Sequence, residues 1–151
     1  TIGAGSDTVS GFENLTGSAF NDKLTGNSGN NILHGGAGND ILNGGAGADT
    51  FDFSSLMDGS DIITDFTTGT DKIDLIDLLD SAGLGGLDYA TLMSQGNLIL
   101  ETGFFATGLS SNSATTLDTR IYIDVDGIGA GGPVLIATLE DTLTSAGDFL
   151  V

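Results

Sequence analysis

Four positions nine residues apart, Asp22, Asn31, Asp40 and Asp49, carry the side chains in this sequence most suited to chemistry. All four are hard oxygen donors set among glycines, and each stands two residues before a large apolar residue: Leu24, Leu33, Leu42 and Phe51. If two nine-residue units make one coil, Asp22 lies over Asp40 and Asn31 over Asp49. Strands in adjacent coils are about 4.8 Å apart. Carboxylates stacked at that spacing repel by roughly 1 kcal/mol in water and several times that when partly buried. A divalent cation between the turns removes the repulsion and satisfies the glycine carbonyls beside it. Six or more oxygen ligands in flexible geometry favour calcium over magnesium or a transition metal.

The elements that must hold these donors follow from the spacing. In register, the segment reads GSAFNDKLT (17–25), GNSGNNILH (26–34), GGAGNDILN (35–43) and GGAGADTFD (44–52). A strict period of nine is neither the helical 3.6 nor a simple alternation of two. It suits a strand of about three residues followed by a tight six-residue turn, repeated as a solenoid. A flexible Gly/Asp linker has no reason to keep apolar residues at that interval. The template Gly-Gly-x-Gly-x-Asp-x-U-x, with U apolar, resembles the calcium-binding RTX repeat. That resemblance implies an all-β fold: a calcium-bound parallel β-roll, followed by a β-rich C-terminal cap with one or two short helices.

The repeat extends beyond its regular centre. Gly3–Val9 reads as an earlier turn and strand, 11–16 as a shortened unit with Glu13 at the carboxylate position, and Asp58–Ile63 as a last degenerate turn after a small insertion. This last turn adds Asp61 to the edge that carries Asp40. The resemblance makes the candidate metal ligands Gly5, Asp7, Gly17, Asp22, Gly26, Ser28, Asn31, Gly35, Gly36, Ala37, Gly38, Asp40, Gly44, Gly45, Ala46, Gly47, Asp49, Gly59, Asp61 and Asp65. It implies roughly three to five calcium ions shared between turns, with the Asn31 site, one charge short, the loosest.

The chain has 151 residues, 21 of them acidic against three basic (Lys23, Lys72 and Arg120), for a formal charge of −18. That balance excludes nucleic acid and anionic membranes as natural partners. It also opposes compaction without counterions, so calcium binding and folding should be coupled. There are no cysteines, hence no disulfides and no thiolate metal sites. No apolar run approaches transmembrane length, and no charged-then-apolar leader precedes the first repeat, which suggests a fragment of a longer chain. A monomer without stable membrane insertion is expected.

From about residue 62 the texture changes. Residues 62–75 alternate as strand, turn and strand, similar to the segment that closes the roll in RTX proteins, including serralysin metalloproteases and alginate epimerase modules. The sequence predicts short helices at 75–80 and 88–95, the second with Asp88 as N-cap, and strands at 97–101, 120–125 and 133–139. The expected division is a roll over 1–66 and a cap over 67–151. Asp124-Val125-Asp126-Gly127 resembles the start of an EF-hand loop, but its glycine falls too early. It reads better as a turn, with Asp124 and Asp126 as weak extra calcium candidates. The ending Asp148-Phe149-Leu150-Val151 resembles the C-terminal signal of type I secretion substrates, and also suits a final strand on the cap.

No catalytic constellation emerges. His34 has no second histidine to share a metal with, no Gly-x-Ser-x-Gly elbow occurs, and the repeat accounts for most carboxylate pairs. The resemblance therefore implies a non-enzymatic, secreted or cell-surface module of a large protein of a Gram-negative bacterium, most like the end of an RTX adhesin. Its partners would be calcium and the type I machinery of ABC transporter, membrane fusion protein and outer-membrane channel. The rivals are an accessory module of an RTX protease or epimerase, and a sugar- or ice-binding solenoid. Ice binding would need an outward row of Thr or Asn, which Thr25, His34, Asn43 and Asp52 do not supply.

Overall fold

A computed structural model describes residues 8–10, 12–103, 118–127, 131–140 and 145–151. Eight three-residue strands follow the repeat: β1 Thr8–Ser10, β2 Asn14–Thr16, β3 Lys23–Thr25, β4 Ile32–His34, β5 Ile41–Asn43, β6 Thr50–Asp52, β7 Asp61–Ile63 and β8 Lys72–Asp74. Odd and even strands separate into two sheets, and within each the pairing of repeat strands is parallel. Leu24 pairs with Leu42, and Leu15 with Leu33 and then Phe51, always eighteen residues apart. Two nine-residue units thus make one coil, as expected of a β-roll.

The side-chain period of a strand turns one residue in three inward here, and that residue is the apolar U. Leu15, Leu24, Leu33, Leu42, Phe51, Ile63 and Ile73 form two facing columns with almost no exposure. The strands are too short to be stable singly, so the continuous core between the sheets holds them. The insertion after Phe53 lengthens the later coils: Leu42 pairs with Ile63, and Phe51 with Ile73. The extra residues are themselves packed, with Phe53 buried and Phe66 lying 6.0 Å from Phe51, centroid to centroid.

Two short helices follow, α1 Ile76–Ser81 and α2 Tyr89–Gln95, then β9 Leu98–Gly103, β10 Asp118–Ile123, β11 Val134–Leu139, a single 3-10 turn Ala146–Asp148 and β12 Phe149–Leu150. Asp88 caps α2, its carboxylate accepting from the Thr91 N–H at 2.8 Å. With its helices the molecule is mostly rather than strictly β. The strands β9, β10 and β11 pair antiparallel, and β11 then runs parallel against β7, extending the first sheet. The last strand, β12, runs parallel against β8 and extends the second.

One carboxylate fastens that closing strand. Asp148, fully buried, accepts from the Gly69 N–H at 2.8 Å through one oxygen, and from the Ser145 N–H and hydroxyl at 2.7 and 2.9 Å through the other. Burial alone would raise its pKa, but these bonds and the charge of Lys72 bring it below the ordinary value. Asp148→Ala removes three hydrogen bonds, two of them to the N–H groups of Gly69 and Ser145, so it should cost about 1–3 kcal/mol. Urea denaturation at saturating calcium checks this.

Candidate metal centre

The turns of the roll stack along two edges. Turns 17–22, 35–40 and the longer 53–60 lie on one, and 26–31, 44–49 and 64–71 on the other. Asp22 and Asp40, Asn31 and Asp49 stack as the eighteen-residue coil requires. The later carboxylates of both stacks accept from the main chain of the preceding coil. Asp40 Oδ1 accepts from Asp22 N–H at 2.7 Å, and Asp61 Oδ1 from Asp40 N–H at 3.0 Å. On the other edge Asp49 Oδ1 accepts from Asn31 N–H at 2.8 Å, and Asp71 Oδ1 from Asp49 N–H at 2.9 Å. Asp40, Asp49, Asp61 and Asp71 thus each tie their coil to the one before.

What the second oxygen does depends on the residue four before it, the second residue of a six-residue turn. Where that residue is Ser18, Asp22 Oδ2 accepts from its N–H and hydroxyl at 2.7 and 2.8 Å. Ser54 does the same for Asp58, and the Thr67 N–H binds Asp71 Oδ2 at 2.8 Å. In turn 35–40 the second residue is Gly36, at φ +91°, where a Cβ would stand 2.2 Å from the Ser18 carbonyl oxygen. No cap forms there: Asp40 is 1% exposed and its Oδ2 has no hydrogen-bond partner.

That oxygen faces a cradle. The point where a Cβ on Gly35 would stand lies 2.2 Å from Asp40 Oδ2 and 2.9 Å from Asp61 Oδ2. Two buried carboxylates thus converge where only a glycine leaves room. Burial, then the neighbouring charges of Asp22 and Asp58, raise Asp40 to a pKa of about 6, against lowering by the Asp22 N–H and His34. Asp61, also buried and beside Asp40 and Asp58, rises to about 8 despite the Asp40 N–H. A protonated carboxyl, or a cation, resolves this arrangement.

The donor set suits calcium: an orphaned carboxylate oxygen, a second carboxylate, and glycine-turn carbonyls, all hard oxygens. Among the described residues no three His, Asp or Glu side chains gather into a metal cluster, so main-chain carbonyls must supply the remaining ligands. Asp40 and Asp61 are the side chains that would hold the ion. Similar crowding of carbonyls recurs: a Cβ on Gly17 would meet the Gly35 oxygen at 2.0 Å, and one on Gly26 the Gly44 oxygen at 2.2 Å.

The other sequence candidates are distributed as follows. Gly5 and Asp7 lie outside the described residues. Gly17, Gly38 and Gly59 lie on the Asp40 edge with Ala37 between Gly36 and Gly38; Ser28, Gly45, Ala46 and Gly47 lie on the Asp49 edge. Asp49 Oδ2 points to the Gly44 cradle, 2.4 Å from the Cβ point. Asp65 is occupied differently: its two oxygens accept from the Gly44 and Gly45 N–H groups at 2.9 and 2.8 Å. Burial raises its pKa, those two bonds opposing. Sequence reasoning missed Asp71, although it precedes the apolar Ile73 by two as the repeat requires. His34, the last residue before turn 35–40, has its Nδ1 3.0 Å from the Asp52 carbonyl and 3.6 Å from its carboxylate.

Comparison with known proteins agrees with the repeat geometry. Residues 16–51 match the RTX calcium-binding nonapeptide repeat in four copies. No curated protein sequence matches. Among solved structures, the solution structure of the AlgE6R3 subunit of the Azotobacter vinelandii mannuronan C5-epimerase aligns over 99% of this chain and 80% of its own, at 25% identity and a TM-score of 0.48. No helix among the described residues is long and apolar enough to cross a membrane.

Proposed function

We propose that this chain is a calcium-triggered folding module of a large extracellular bacterial protein, an adhesin by the resemblance of its repeats and closing strands. The observation that carries the reading is the buried, unpartnered Asp40 oxygen converging with Asp61 on the Gly35 cradle. Extracellular-type calcium sites bind at roughly 0.1–1 mM, far above free cytosolic calcium. Inside the cell the charge of −18 keeps the repeats expanded, and the type I machinery reads the C-terminal Asp148–Val151. Outside, calcium closes the stacked turns and the roll forms. The module is non-catalytic: its buried carboxylates serve turns, coil-to-coil bonds and metal.

Far-UV circular dichroism during a calcium titration from chelator to several millimolar tests this. A disordered spectrum should convert to a β-type one in that range, and magnesium should fail to convert it. A spectrum already folded in chelator and unmoved by calcium would overturn the reading.

A further inference from the structure

The rung between turns 26–31 and 44–49 is built differently from the Asp40 rung. Asn31 is 1% exposed, and its amide nitrogen contacts three oxygens at once: the Gly29 carbonyl, the Gly44 carbonyl at 3.3 Å and Asp49 Oδ1 at 2.9 Å. These comprise a carbonyl of its own turn, the first carbonyl of the turn in the next coil, and the next carboxylate. They are the kinds of oxygen a cation between two turns would gather. The Asn31 Oδ1 faces the other way and accepts from the Asn27 N–H at 3.3 Å. That bond fixes the orientation of the amide, since the reverse would set a carbonyl oxygen against three others.

We propose that the Asn31 side-chain amide takes the place of a metal ion on this rung, so that turns 26–31 and 44–49 are joined without calcium. This deepens the calcium reading and rests on it for the neighbouring rungs. An amide N–H₂ is a donor with partial positive charge and two hydrogens. It satisfies carbonyl oxygens and a carboxylate without needing an ion, at the expense of the full charge an ion would bring. The identity of one residue thus decides whether a stacked pair of turns is metal-filled: aspartate with a free second oxygen admits calcium, and asparagine with its amide turned inward excludes it. Asp49 Oδ2 is not among the three oxygens: it lies 2.4 Å from the point where a Cβ on Gly44 would stand.

The experiment is calcium stoichiometry by equilibrium dialysis of the whole chain at saturating calcium, for the wild type, Asn31→Asp and Asn31→Ala. Asn31→Asp should bind one calcium more than the wild type. Asn31→Ala should bind the same number as the wild type, with a lower thermal midpoint from the lost amide contacts. Equal counts for Asn31→Asp and the wild type would overturn the proposal. So would one calcium fewer in Asn31→Ala, because the wild-type asparagine would then be a ligand. A wild type that binds no calcium beside an Asn31→Asp that binds one would sink the reading of the Asp40 rung and leave this one standing.

Discussion

Asp40→Ala should raise the calcium concentration at the folding midpoint tenfold or more, with Asn31→Ala shifting it by no more than about twofold. Two losses combine in the first variant. The cation loses the orphaned oxygen and half of the paired side-chain charge, and ligand charge is what tunes affinity at such sites. The Asp22 N–H also loses the acceptor it meets at 2.7 Å, which costs about 1–3 kcal/mol for a buried donor left alone. Asp40→Asn separates the two, because the amide oxygen can still accept from Asp22. In chelator it should be no less folded than the wild type, since a buried charge is gone; its calcium midpoint should still lie above that of the wild type. Circular dichroism titrations of the three variants check the order. Equal midpoints for Asp40→Ala and Asn31→Ala would break the assignment of the Asp40 rung.

In the absence of calcium, the folded chain should be more stable at pH 5 than at pH 8, the reverse of ordinary acid denaturation. Burial raises Asp40 to about 6 and Asp61 to about 8, while in the unfolded chain both titrate near 3.8. Between those limits the folded state binds more protons than the unfolded one, and stability therefore falls as pH rises. The groups that face them are Asp22, His34 and Asp58 around Asp40, and Asp40 and Asp58 around Asp61. Saturating calcium should flatten or invert the trend, because the ion takes the place of the proton. The folded fraction by far-UV circular dichroism at the two pH values, with EDTA and with calcium, gives the result: in EDTA the residual β-type signal should be larger at pH 5. A calcium-free folded fraction that climbs from pH 5 to pH 8 would contradict the buried carboxylate pair.

Much of the roll was legible because the repeat is self-announcing. Leu24, Leu33, Leu42 and Phe51 mark the inward position, and once two units make a coil, Asp22 over Asp40 and Asn31 over Asp49 follow by counting. The short insertion before Asp58 did not hide Asp61, since the apolar residues after it restart the pattern. The strands expected at 97–101, 120–125 and 133–139 were legible as strands, within two residues at each end, but not their partners: alternation marks a face and leaves the neighbour open. Only the packed structure sets β11 beside β7 and β12 beside β8.

Within the site, spacing located the carboxylates but not the use of each oxygen. Ser18 and Thr67 turn Asp22 and Asp71 into self-contained turns, whereas Gly36 leaves Asp40 free. Reading that difference requires knowing that the residue four before the carboxylate lies within its reach. Asp65 shows the converse. Its position suggested a ligand, yet two glycine N–H groups of the coil below claim both its oxygens.

The eighteen-residue coil has a mechanical side as well. Eighteen residues drawn out straight reach roughly 60 Å, and the coil they form adds only about 4.8 Å to the height of the stack. Each coil laid down therefore reels in about twelve times more chain than it adds in height. A strand emerging through a narrow opening and winding up in this way on the far side becomes too wide to return and shortens as it goes. The stacking of Leu24 on Leu42 is, in that sense, one stroke of a winch.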